Sequence, residues 1–152
     1  MAVLAPILAS ACLCGQACRY DGGDSAHPLI QALCAKGLAV PVCPELLGGL
    51  PTPRAASEIR DGRVISCLGH DLTAQFRLGA REALEIARKA GVCLAVFKDK
   101  SPSCGSRLIY DGTFSGRLVY GSGVAARLLM EHGIQVVAEF DFAGESRLPV
   151  GN

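Results

Sequence analysis

Three cysteines, Cys12, Cys43 and Cys104, each stand where an apolar or strand-like run gives way to a loop: after Ile7-Leu8-Ala9-Ser10-Ala11, after Leu38-Ala39-Val40-Pro41-Val42, and after Ser101-Pro102-Ser103. In a parallel α/β sheet the carboxyl ends of the strands gather on one edge, so residues far apart in sequence can converge there on one ligand. Three thiolates with no evident fourth suit a metal centre with an open coordination position. Their softness selects an iron–sulfur cluster or zinc over magnesium or calcium. Zinc would call for closed Cys-x2-Cys spacing or nearby histidines, whereas His27, His70 and His132 stand in surface or helix-capping contexts.

Two oxygen-bearing side chains lie close to these cysteines in sequence. Glu45 follows Cys43 across Pro44, which holds it near the metal yet outside the strand, and Ser101 precedes Cys104 by three residues in a Ser-Pro-Ser-Cys-Gly loop. Taken singly, the first reads equally well as a solvated loop carboxylate and the second as a turn-capping hydroxyl. Together, a hydroxyl and a carboxylate flanking an open metal position can orient and deprotonate a water, as hydrolytic attack requires. Arg19, Arg54, Asp111 and Ser115 are further candidates for the mouth of such a site, which spacing does not separate from surface residues.

The remaining cysteines read differently. Cys34 inside a helix, Cys93 at the opening of a buried strand and Cys67 after Val64-Ile65 are places where a free thiol acts as a small hydrophobe. Cys14 is open to being a ligand beside Cys12, though it reads more readily as a core or exposed thiol. Cys18, in the Gly15-Gln16-Ala17-Cys18-Arg19-Tyr20-Asp21-Gly22 loop, stays open between a ligand, a bridge to another thiol and a structural thiol.

The elements that must position these residues follow from apolar patterning. Buried strands are expected at Leu4 to Ala9, Leu38 to Val42, Val92 to Phe97 and Ile134 to Ala138, and helices at Pro28 to Lys36, Leu72 to Ala90 and Gly123 to His132. Pro28 suits a first helical turn, Asp71 or Thr73 and Ser122 suit caps, and Gly37, Gly91 and Gly133 suit helix ends. Small hairpins are signalled at Asp61-Gly62 and across Tyr110-Asp111-Gly112-Thr113, the first inside a long Pro/Gly-rich segment between Cys43 and His70. Long loops in compact domains are functional or disordered, and the fixed prolines favour function. The β-α-β alternation with right-handed crossovers predicts one domain over residues 1–152. Its fold is a three-layer, Rossmann-like or flavodoxin-like α/β arrangement, an open, mostly parallel four-stranded sheet flanked by helices, with loop expected after Phe140.

Composition agrees and excludes several classes. At 152 residues, half of them hydrophobic, the chain buries a core without disulfide staples, so its eight cysteines in a reducing compartment point to metal or catalysis. Fifteen basic against fourteen acidic residues, with no Lys/Arg run, leave no electrostatic footprint for nucleic acid or an anionic membrane. Ala9-Ser10-Ala11-Cys12 loosely matches a lipoprotein cleavage box, but the stretch before it carries no positive charge and is broken by Pro6. It is read as the first buried strand of a cytoplasmic protein.

In order along the chain, Ser10-Ala11-Cys12 with Cys18-Arg19-Tyr20-Asp21-Gly22, Pro41-Val42-Cys43-Pro44-Glu45 with Leu47-Gly48-Gly49-Leu50-Pro51-Thr52-Pro53-Arg54, Ser101-Pro102-Ser103-Cys104-Gly105 and Tyr110-Asp111-Gly112-Thr113-Phe114-Ser115-Gly116 resemble the thiouracil desulfidase family. The resemblance runs from Ile7 to about Glu139. It implies a [4Fe-4S] cluster held by Cys12, Cys43 and Cys104, an iron left free for the sulfur of a thiolated pyrimidine, and catalytic roles for Glu45 and Ser101. The reaction it implies is non-redox, hydrolytic conversion of 2- or 4-thiouracil to uracil and sulfide. Alternatives are desulfuration of another thiolated nucleobase or nucleoside, which near-neutral charge disfavours for large RNA, and a non-catalytic domain that senses metal or oxidant.

Overall fold

The computed structural model describes residues 4–144, 148 and 149. Four parallel strands form its centre: β1 (Ile7–Ser10), β2 (Ala39–Val42), β5 (Leu94–Phe97) and β8 (Gln135–Ala138), in the spatial order β2-β1-β5-β8. β1 pairs with β2 in the register Ile7↔Ala39 to Ser10↔Val42 and with β5 at Leu8↔Ala95. The chain leaves β1 towards β2 and leaves β5 towards β8, so the strand order reverses between β1 and β5. That reversal opens a crevice at the carboxyl ends of the strands, the place where ligands bind in open α/β sheets.

All four β1 residues are buried, because helices cover both faces of the sheet. Ile7 and Ala9 pack with Ile30 and Leu33 of α1 (Pro28–Ala35) on one side. Leu8 packs on the other side with Ala80, Leu84 and Ala87 of α3 (Thr73–Lys89) and Ala125, Ala126 and Leu129 of α4 (Val124–Glu131). The expected three layers are therefore present, with element ends moved by one to three residues. The tail after Phe140 begins in a short 3-10 turn, Glu139–Asp141, and residues 145–147 and 150–152 lie outside the described part.

Two short antiparallel hairpins sit over the carboxyl edge. β3 (Ser57–Arg60) and β4 (Arg63–Ser66) turn at Asp61-Gly62, whose φ values of 49° and 74° are both positive, as a two-residue turn matched to strand twist requires. β6 (Leu108–Tyr110) and β7 (Leu118–Tyr120) are joined by the longer Asp111–Arg117 loop rather than by a tight turn at Asp111-Gly112. Glu58 reaches into that loop and accepts the backbone N–H groups of Gly112 (2.9 Å) and Phe114 (3.1 Å), which pins the hairpins together.

Two local expectations are corrected, and a third, left between two residues, is resolved. The segment after Cys43 begins with a one-turn helix, α2 (Pro44–Leu47), with Pro44 at its first position and Glu45 in its first turn. Gly123, not Ser122, is the N-cap of α4, and no side chain caps it. Its free N–H groups are taken instead by the chain around Cys104: Val124 donates to Pro102 O (2.9 Å), and Ala125 and Ala126 donate to Ser103 O (2.9 and 3.0 Å). At α3, Asp71 Oδ1 accepts the Thr73 N–H at 2.9 Å, so Asp71 rather than Thr73 supplies the capping group.

Candidate active site

Each of the three strand-end cysteines is delivered by a different local device. β1 runs into a 3-10 turn, Ala11–Cys14, closed by Gly15 at φ 97°, and Cys12 sits inside it with 8 % exposure. Cys43 is the N-cap residue of α2, directly after β2. Cys104 ends the turn Ser101-Pro102-Ser103 after β5 and is buried. Ser101 Oγ accepts the N–H groups of Ser103 (3.1 Å) and Cys104 (3.0 Å), so this hydroxyl builds the turn that places the third sulfur.

Glycines allow the close backbone approaches behind two of these turns. A Cβ on Gly79 of α3 would lie 1.8 Å from Pro44 O, and one on Gly48 would lie 2.0 Å from Gln75 O, so α2 rests on α3 backbone to backbone. On the other side, a Cβ on Gly123 would lie 2.4 Å from the Ser103 carbonyl carbon.

A single cavity of about 500 Å³ collects Cys12, Cys18, Cys43, Glu45, Ser101 and Cys104. It is closed above by Ser57 and Glu58 of β3 and Tyr110 of β6. Of the further mouth candidates, Arg19 and Arg54 line it, whereas Asp111 and Ser115 belong to the hairpin loop outside its lining. Cys14, Cys34, Cys67 and Cys93 are not among the lining residues. Cys14 and Cys34 are half-buried and hydrogen-bonded to each other, while Cys67 and Cys93 are exposed, contrary to the small-hydrophobe reading. Cys93 precedes β5, at the edge of the sheet opposite the cavity.

Glu45 is not the solvated carboxylate of the plainer reading. Arg54 donates from Nε (2.8 Å) and from Nη2 to Glu45 Oε2, and the two side chains are only 13 % and 8 % exposed. The same guanidinium donates to Cys18 O (2.8 Å), Pro51 O (3.1 Å) and Thr52 Oγ1 (3.1 Å), which ties the Cys18 loop and the Pro-rich segment to α2. Both of these carboxylate bonds converge on Oε2 rather than on Oε1.

The sulfurs sit in unequal environments. Burial, followed by the neighbouring Cys43, pushes the Cys12 thiol up to about 11, and burial also raises Cys104. Cys43 moves the other way, through its hydrogen bonding with the Cys18 thiol and then with the Leu46 backbone N–H, and its Sγ also donates to the Cys18 carbonyl oxygen at 3.9 Å. Cys18 is raised correspondingly. Hydroxyls reach the other two sulfurs, Ser25 at Cys12 and Ser10 at Cys104. Among the described residues no group of three or more His, Cys, Asp and Glu is arranged to hold a single metal ion, and no histidine lines the cavity.

The sequence profile of the 2-thiouracil desulfurase family matches residues 7–141. The chain belongs to that family. A relative, the uncharacterized protein YbbK of Bacillus subtilis (strain 168), is 41 % identical over 143 residues, spanning 88 % of this chain and 95 % of YbbK. A solved structure of the [4Fe-4S]-dependent thiouracil desulfidase TudS superposes with a TM-score of 0.86 at 44 % identity, covering 90 % of this chain and 92 % of TudS. Family membership thus joins the fold to the cavity at its carboxyl edge. Sequence reasoning missed Arg54 as the partner of Glu45, and Ser10 and Ser25 as partners of sulfurs. For Arg54 a signal existed: a lone arginine at the end of an otherwise uncharged, proline-fixed loop. Among the described residues no helix is long and apolar enough to cross a membrane.

Proposed function

We propose that this chain is a desulfidase that converts thiouracil to uracil and sulfide, with a [4Fe-4S] cluster held by Cys12, Cys43 and Cys104. The observation that carries this reading is that three strand ends and α2 bring three sulfurs, Glu45 and Ser101 to one cavity. The donor set fits the cluster: three sulfurs, two of them approached by serine hydroxyls and the third by the Cys18 thiol and a backbone N–H. Cys18 then serves as a hydrogen-bonding neighbour of the Cys43 sulfur rather than as a fourth ligand. When bound, the cluster supplies a thiophilic Lewis acid that polarises a thiocarbonyl group.

The protein's own groups handle the water. Ser101 Oγ already accepts two backbone N–H bonds, which occupies its lone pairs and leaves only its O–H to offer. It therefore donates to the oxygen of a water, whose protons are turned towards Glu45. Arg54 fixes Glu45 through Oε2, and Oε1 takes the proton as the water oxygen adds to the thiocarbonyl carbon. Carbon exchanges its bond to sulfur for a bond to oxygen, sulfide leaves, and no electrons are gained or lost overall.

Anaerobic purification followed by iron and acid-labile sulfide analysis, then sulfide release from 2- and 4-thiouracil, tests the proposal. Iron and sulfide in similar amounts and release of sulfide are expected. Glu45→Gln should retain iron and slow turnover about 10²- to 10⁴-fold, the usual contribution of a positioned general base. Ser101→Ala, which also removes the acceptor of the Ser103 and Cys104 N–H groups, should lower turnover per bound cluster whatever its iron content. A colourless zinc protein that releases no sulfide would favour the sensor alternative.

A further inference from the structure

Four cationic side chains line the cavity: Arg19, Arg54, Lys98 and Lys100. Arg54 is wholly committed to Glu45, Cys18, Pro51 and Thr52. Arg19 is turned to Asp21 (3.1 Å), Ser25 (3.1 Å) and the Asp24 carbonyl (3.4 Å). Lys100 is exposed, at a left-handed φ of 68°.

Lys98 differs from these. It follows β5 directly at the strand-order reversal, and its backbone N–H donates to Ser10 Oγ at 2.8 Å, which locks the β5 end to the β1 end beside Cys12. Its Nζ sits 3.3 Å from Glu139 Oε2 and donates to Asp99 O at 3.4 Å. Glu139 is itself held, since its Oε1 accepts the Asp99 N–H at 3.0 Å. The ion pair and the hydrogen bond engage two of the three ammonium protons, and among the described residues one is left.

We propose that Lys98 is a specificity residue whose remaining N–H donates to the ring carbonyl that the substrate keeps throughout the reaction. The proposal deepens, and rests on, the thiouracil reading. In both 2- and 4-thiouracil the carbonyl is separated from the thiocarbonyl by a single ring N–H. A sulfur placed among the cysteines therefore puts the carbonyl of either isomer at the same distance from it. One donor on a flexible stem, anchored by Glu139, can serve both isomers, where a planar guanidinium would demand one orientation. A charge-assisted bond at that oxygen also draws electron density from the ring as water adds to the thiocarbonyl carbon.

The test compares 4-thiouracil with pyrimidine-4-thione, which lacks the second carbonyl, in cluster-loaded wild type, Lys98→Met and Lys98→Gln. Wild type should favour 4-thiouracil about 10- to 100-fold in kcat/KM, the range of one hydrogen bond to a charged donor. In both variants the preference should fall below about threefold, chiefly through KM, with iron per chain unchanged. Uracil keeps the carbonyl, so its equilibrium binding to cluster-free protein, read by calorimetry, should weaken about tenfold in Lys98→Met. A preference that survives in both variants, or uracil binding that is equal in wild type and Lys98→Met, overturns the assignment. Loss of uracil binding in Lys98→Met while wild type releases no sulfide from either compound would uphold the lysine and defeat the desulfidase reading.

Discussion

Gly123→Ala probes whether backbone contact, rather than side-chain bonding, places the Cys104 sulfur. A methyl group at this position meets the Ser103 carbonyl carbon at 2.4 Å, the Ser103 oxygen at 2.5 Å and the Cys104 nitrogen at 2.8 Å. To restore ordinary contact, α4 and the 102–105 turn must separate by about 1 Å, which works against the dense packing of both. Four hydrogen bonds span that junction: Gly123 N to Gly105 O (2.7 Å), Val124 N to Pro102 O (2.9 Å), and Ala125 and Ala126 N to Ser103 O (2.9 and 3.0 Å).

Overpacking of this kind costs about 1–3 kcal/mol, and weakening one or two of the four bonds adds about 1 kcal/mol each. The total of about 2–5 kcal/mol corresponds to a fall in Tm of about 4–20 °C for a chain of this length. The same displacement moves Cys104 relative to Cys12 and Cys43, so the folded variant should bind less iron than wild type. Desulfidation per bound cluster should fall by about 10²-fold, the usual consequence of a 1 Å misplacement. Gly133→Ala is the comparison: its φ is 81° but open space surrounds it, so it carries backbone strain without touching the site. Thermal melts with iron and sulfide analysis on both variants separate the two effects. A Gly123→Ala protein that melts within 1 °C of wild type, or that loses stability yet keeps its full iron and turnover, would refute the argument.

Gly79→Ala should be at least as damaging, since its Cβ would lie 1.8 Å from Pro44 O and would lift α2, and with it Cys43 and Glu45, off α3; iron content and melting report it. Arg54→Met leaves the Glu45 carboxylate buried without its partner and should destabilise by about 3–5 kcal/mol in urea unfolding, the usual effect of breaking a buried pair. Cys12→Ser, Cys43→Ser and Cys104→Ser should each lose most of their iron, whereas Cys67→Ser and Cys93→Ser, exposed and outside the cavity lining, should keep it. Arg63 and then Thr73 hold the Asp71 carboxyl well below its ordinary 3.8. Its contribution to stability is therefore present above about pH 4 and fades as pH falls below that, so Asp71→Asn should flatten the acid limb of the stability curve.

The sheet and its three main helices were legible because each is set by burial over a run long enough to show a period. Convergence in space was legible where a residue type is rare and its place repeated, as with the three cysteines after three strand ends that line one cavity. What sequence did not reveal lies below that length scale. Pro44-Glu45-Leu46-Leu47 is one helical turn between a proline and a glycine, too short for any periodicity. Yet it carries Glu45 and directs the Leu46 N–H at the Cys43 sulfur. Cys67 and Cys93 were read as buried because their apolar neighbours are, but a residue just beyond a short strand escapes the packing that covers it.

Gly79 is the instructive case. A glycine inside an otherwise strong helix costs about 1 kcal/mol relative to alanine, so its presence in α3 is a local sacrifice that calls for a cause elsewhere in the fold. That cause is the carbonyl of Pro44, at a distance no Cβ could tolerate. Gly123, the N-cap of α4, permits the same kind of close approach, where Ser122 was expected to cap and the backbone of the Cys104 turn caps instead. Glycines at these close approaches behind Cys43 and Cys104 mean that both sulfurs are positioned by main chain on main chain. Such positions move less than side chains do, which suits the proposed role of these thiols as cluster ligands at a fixed spacing.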